Sequence, residues 1–214
     1  MSGCGCEDPS NASLTRTRAQ RRVLWGVLAI NLGIFAGEFG TGLWADSTAL
    51  QADSLDSLGD TLVYGVSLVV LGRSLRARAG AALFKGGLQL VFGLGVLAEV
   101  AHKLLVGAQP LPVYMLIAAT AALVANLTCL ALLTRFRSDD INMRSVWLCS
   151  RNDVIGNVSV ILTAGVVMAS GWAWVDWALG ALLAIVFLRT AVQVLQVAWP
   201  QYRDGVEPPR TCAS

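Results

Sequence analysis

Histidine is nearly absent: His102 is the one copy in 214 residues, and charged side chains make up only 14% of the chain. No Gly-rich phosphate loop, Ser/His/Asp arrangement or paired redox cysteine site within the apolar runs appears, which argues against nucleotide-driven transport and against an enzyme. The five cysteines do not make a disulfide framework: Cys129 and Cys149 sit in apolar runs and Cys4, Cys6 and Cys212 in polar tails. Cys4 and Cys6 alone would make a poor metal site in a tail. A formal net charge of +2 gives no reason to expect a nucleic-acid or strongly acidic partner. His102, beside Lys103 at a loop mouth, reads as solvated surface.

What the chain has instead is apolar surface. Hydrophobic residues reach 55% and 21 glycines are spread among them, the composition of helices packing closely in a lipid bilayer. A span needs about 20 apolar residues, and six such runs fit: 23–43, 50–71, 82–101, 113–133, 145–169 and 174–199, with Pro200 read as the stop. The fold class is therefore all-α, an integral membrane bundle of six transmembrane helices. The first run follows Arg16, Arg18, Arg21 and Arg22 but lacks a small-residue cleavage pattern, so it is read as a retained span. Arginines cluster before the first span, after the second (Arg73, Arg76, Arg78) and between the fourth and fifth, while Lys103 is the only basic residue in the opposite loops. The positive-inside rule then places both termini in the cytoplasm. Residues 1–20 and 200–214 read as short tails flanking a transport domain at 21–199, and the second tail is too short to bury a core of its own. Trp44, Trp172, Trp174, Trp177 and Trp199 lie near span ends, as in an aromatic belt.

The second span carries the informative anomaly. Asp53, Asp56 and Asp60 fall within eight residues, and Asp56 and Asp60, spaced i,i+4, share a helical face. Acids at membrane depth face a cavity, a partner or an ion path. The fifth span holds Cys149 and Asp153 at the same i,i+4 spacing, with Asn157 continuing that face and Asn152 adjacent. Two such pairs, Asp56 with Asp60 and Cys149 with Asp153, supply three carboxylates and a thiol, enough to close a tetrahedral site for zinc or a softer divalent ion. Magnesium and calcium would ask for more oxygens. Packing alone is also compatible with a cysteine at 149. Asn31 and Glu38, seven residues apart in the first span, Asn126 in the fourth, Asp53, Asn152 and Asn157 are read as supporting or pathway groups.

These residues carry a resemblance to the cation diffusion facilitator family over about residues 21–199. Its marks are Asn31 and Glu38; the stretch from Trp44 to Asp60; Asn126; the stretch from Asp153 to Ile161; and Trp174-Val-Asp176-Trp. The resemblance implies proton-coupled efflux of zinc or cadmium from the cytoplasm across an inner membrane, by a homodimer, with no resident cofactor. It carries the family's transport-site roles onto Asp56, Asp60, Cys149 and Asp153. Cysteine at 149 departs from the family's histidine, and the short stretch 200–214 gives the expectation that the family's common cytoplasmic domain does not follow the sixth span here. The alternatives are a transport-inactive metal sensor or partner subunit, and a channel.

Overall fold

The computed structural model describes residues 18–70, 75–136 and 141–205. Cys4, Cys6, Arg16, Arg73 and Cys212 lie outside the described residues. The chain forms six helices: α1 (Arg18–Trp44), α2 (Thr48–Val70), α3 (Leu75–Val106), α4 (Pro112–Thr134), α5 (Ile141–Ser170) and α6 (Trp174–Asp204). Five of them are long and apolar enough to cross a membrane. α2 has the length, but its three aspartates set it apart. An acid at the centre of a span costs about 2.5–3.5 kcal/mol, whereas each large apolar residue returns roughly 0.3–0.6 kcal/mol. The three acids together offset the insertion gain of nearly a whole span, so α2 depends on its neighbours.

Those neighbours enclose it. α2 touches α1, α3, α5 and α6, while α3 packs along α6 and α4 along α5. Every residue from Ser47 to Leu55 is buried, and the helix first opens at Asp56. The surrounding helices are inverted relative to a soluble protein. The inward stripe of α1 includes Leu24, Val27, Asn31, Ile34 and Glu38, and that of α5 Ser150, Asp153, Asn157, Val160 and Ala164. Large apolar side chains such as Ile117, Leu127, Leu162 and Leu182 face outward. Such a surface is suited to lipid, and the protein is a multi-pass membrane bundle. One apolar core joins α1 and α4 through Leu24, Val27, Cys129 and Leu133, with Trp147 and Cys149 of α5 packed against it. Another joins α2, α3 and α6 through Leu55, Val96, Ala184 and Phe187. Close approach of α3 to α6 needs Gly86 and Gly93, where an added Cβ would lie 2.9 Å from Leu195 Cγ and 2.8 Å from Leu188 Cγ respectively.

The helix ends follow local chemistry, with departures from the sequence reading, among them the start of α3 at Leu75 rather than at 82. Pro112 opens α4 at its first turn, and Gly107, Gly171 and Gly205 adopt positive φ after α3, α5 and α6. Pro200 does not stop α6, which continues to Asp204. Proline forfeits its own N–H and leaves one upstream carbonyl without a helical partner, which is tolerable near an exposed helix end. The third helix likewise runs beyond 101 to Val106, so Lys103 belongs to a helix rather than to a loop.

Candidate metal centre

α2 and α5 run antiparallel, packed through Ala49 and Leu50 against Val160 and Ala164 and joined by a buried hydrogen bond. Asn157 Nδ2 donates to Asp53 Oδ2 at 2.6 Å, and the neighbouring Gly156 leaves the space into which Asp53 Oδ1 projects, so that any added Cβ would collide with it. Moving one turn along α2 and one turn back along α5 brings Asp56 level with Asp153. A further turn brings Asp60 level with Cys149. Asp153 is buried, with Oδ2 lacking a hydrogen-bond partner among the described residues, and it lies within electrostatic range of Asp60, Asp56 and Asp53. Asp56 is exposed and Asp60 and Cys149 are half-buried. Cys149 also packs against the α1–α4 core.

The four residues line two adjacent levels of the bundle without closing on a point. Among the described residues, no group of three or more His, Cys, Asp or Glu side chains is arranged to hold a metal ion. The arrangement is an acidic cleft with one buried wall, Asp153, and one open wall, Asp56.

A cation in this cleft was missed in the sequence. Lys85 of α3 is within electrostatic range of Asp60, Cys149 and Asp56. Its placement follows from Gln89, one turn further along α3, which presses on α2 so closely that a Cβ at Gly59 would lie 2.9 Å from Gln89 Nε2. The signal available was the glycine preceding Asp60, which marks where another helix approaches, but Gly59 alone does not say which helix.

On the opposite side from Asp60, a buried polar network extends the site. Asn126 Nδ2 of α4 donates to Asn157 Oδ1 at 3.0 Å, and Asn157 Nδ2 reaches Glu38 Oε1 of α1 at 3.3 Å as well as Asp53. Glu38, Asp53, Asn126 and Asn157 are thus brought together. Asn31 is buried on the same stripe of α1 but turns its nitrogen to its own helix, at Val27 O, 2.9 Å away. Asn152 is exposed, away from this network. Arg151 is also exposed and stacks over Trp147 rather than turning to Asp153.

Two further clusters pin the far end of α2. Asp176 of α6 accepts from Ser47 Oγ at 2.6 Å, Thr48 N at 2.8 Å, Thr48 Oγ1 at 2.9 Å and Ala49 N at 3.2 Å. A carboxylate there satisfies the first free amides of α2 and faces its positive dipole end. Lys103 pairs with Asp46 at 2.8 Å and Glu99 at 2.6 Å, and Gln51 Nε2 donates to Glu99 Oε1 at 2.8 Å. His102 is exposed.

A six-helix membrane bundle with a cleft of acids and one thiol between its second and fifth helices is a scaffold for handling cations. The family model of the cation efflux transmembrane domain matches residues 24–199, and the chain belongs to the cation diffusion facilitator family. It is 26% identical over 177 residues to the zinc transporter ZitB of Yersinia pestis, covering 77% of this chain and 57% of that protein. It is 25% identical over 199 residues to the metal cation efflux system protein CzcD of Cupriavidus metallidurans, covering 84% of this chain and 63% of that one. The chain therefore spans less than two thirds of the length of these relatives.

Proposed function

We propose that this protein exports a divalent transition-metal ion, zinc or cadmium, from the cytoplasm in exchange for protons, with Asp56, Asp60, Cys149 and Asp153 as the ligands of the travelling ion. The observation that supports the reading is the register of α2 and α5, which brings the stretch of α2 carrying Asp56 and Asp60 beside the stretch of α5 carrying Asp153 and Cys149, with Asp153 Oδ2 lacking a hydrogen-bond partner among the described residues. The names of the relatives, a zinc transporter and a metal cation efflux protein, support the same substrate class.

The mechanism follows from the chemistry of the donors. Metal binding requires deprotonated carboxylates and thiolate, so loading releases protons and protonation opposes loading. Three acids within reach of one another favour protons when no metal is present. An ion arriving at the open Asp56 side draws Asp60 and Cys149 toward Asp153, and Lys85 yields its place beside the acids. Protons taken up on the far side reverse the sequence and expel the ion. The arginine clusters favour an orientation with both termini and the C-terminal end of α2 toward the cytoplasm.

The functional unit is residues 21–199, working as a homodimer. Arg189 lies at the middle of α6 on the exposed face of the bundle, with Gln193 one turn away. A guanidinium facing lipid at that depth is expensive, and a second copy covering this face would relieve it.

The test is metal uptake into proteoliposomes under an imposed proton gradient. Zinc flux that moves protons the opposite way and stops in Asp60→Ala supports the reading. Flux indifferent to the gradient would identify a channel, and tight binding without flux a sensor.

A further inference from the structure

Glu38 of α1 and Asp53 of α2 approach the same side-chain nitrogen, that of Asn157, at 3.3 and 2.6 Å. Its orientation is set by Asn126, whose Nδ2 donates to Asn157 Oδ1. Turning the amide over would put its oxygen against two carboxylates and its nitrogen against another donor. Asn157 therefore offers one N–H to each acid and no more. Both acids are buried, at 2% and 4% exposure, and Glu38 Oε2 has no partner among the described residues. No lysine or arginine among the described residues pairs with either acid. The other charged groups facing them, Asp56 from α2 and Asp153 from α5, are acids as well. α4 contributes the neutral Asn126 and, along a cleft of about 480 Å³ between α1 and α4, Tyr114; Glu38 is the one carboxylate lining that cleft.

Two anions sharing one neutral donor in a membrane interior carry a large desolvation cost with no countercharge. One proton on the pair removes the second charge. We propose that Glu38 and Asp53 jointly hold one exchangeable proton, at a site separate from the metal ligands and about one helical turn beyond them, and pass it to the transport acids as the metal departs. The transfer moves a proton from the pair to Asp56 or Asp153, and the pair is refilled from water on the side away from the arginine clusters. Its delivery role rests on the metal–proton exchange proposed above. The existence of the proton site does not.

The experiment is infrared difference spectroscopy of the full chain in lipid nanodiscs at about pH 7. Saturating zinc deprotonates the transport acids, so the pair should leave one protonated-carboxyl carbonyl band that shifts in heavy water. That band should vanish in Glu38→Gln, and in Asp53→Asn if the first variant folds poorly. Reading the same band in Asp56→Asn/Asp60→Asn/Asp153→Asn requires no zinc and separates a failure of this inference from a failure of the metal reading. In proteoliposomes, Glu38→Gln should cut gradient-driven zinc flux roughly 10–100-fold while zinc binding stays near the wild-type affinity. Absence of the band from both zinc-saturated wild type and the triple variant, or its persistence in Glu38→Gln and Asp53→Asn alike, overturns the proposal.

Discussion

Asn157 and Asp53 meet across two antiparallel helices in a hydrogen bond of 2.6 Å, next to the two rows of candidate ligands. Removing it should do more than delete a hydrogen bond, because Glu38 uses the same nitrogen. Asn157→Ala is expected to lower stability by about 1–3 kcal/mol for each acceptor left unsatisfied. Asn157→Asp adds a further carboxylate to the pair and should be more destabilising at pH 8 than at pH 6, since protonation relieves the repulsion. Thermal unfolding in detergent at the two pH values checks both.

Asp56→Asn and Asp60→Asn should each reduce zinc flux by roughly 100-fold, the upper end of what even an outer partner of a metal ligand is worth. Both variants should insert normally, because removing a charge from a spanning helix favours insertion. Wild-type flux in either would remove the two-carboxylate centre from the account.

Lys85 lies within electrostatic range of Asp60 and Asp56, so in the proposed mechanism it competes with the arriving ion for the same acids. Lys85→Met should bind zinc about tenfold more tightly, a change of about 1.4 kcal/mol, which is modest for a unit charge acting over several ångströms at an effective dielectric near 20. Calorimetric titration of zinc into both proteins reads this directly. Weaker binding in the variant would mean that Lys85 holds the cleft in shape instead.

Cys149 should tune selectivity. Cys149→Ser removes a soft donor at nearly constant size and should reduce cadmium flux more than manganese flux, whereas Cys149→His should retain zinc flux and shift the cadmium-to-zinc ratio. Unchanged ratios in both variants would make Cys149 a packing residue.

Asp176→Asn keeps the shape of the α2 cap but removes its charge. It should cost about 1.5–3 kcal/mol, the range for hydrogen bonds to charged groups, and leave zinc affinity close to wild type because the cap lies at the first residues of α2, about two turns before Asp56. Paired unfolding and binding measurements separate the two effects.

How far the sequence reached depends on the range of the interaction involved. The six helices and the shared faces of Asn31 with Glu38 and of Asp153 with Asn157 were legible, because hydropathy and helical spacing are local properties. Contacts between distant segments were not. Asp176 stood out only as part of a resemblance, and nothing local tells that it caps a helix beginning at Thr48. Lys85 lies inside the third apolar run, and nothing local ties it to the acids of α2 until Gln89 is seen against Gly59. Lys103 looked like a loop charge because its pairing with Asp46 requires the turn before α2 to fold back over α3. Pro200 misled because its penalty is small near an exposed helix end.

The central claim is that a divalent metal is held between α2 and α5 by oxygen and sulfur. X-ray absorption at the zinc edge tests it most directly, using protein whose Cys4, Cys6 and Cys212 are replaced by serine. A four-coordinate shell is expected, with one sulfur at about 2.3 Å and oxygens at about 2.0 Å, the sulfur lost in Cys149→Ser and bound zinc lost in Asp60→Ala. A nitrogen-dominated shell, or a shell that survives Asp60→Ala unchanged, would contradict it.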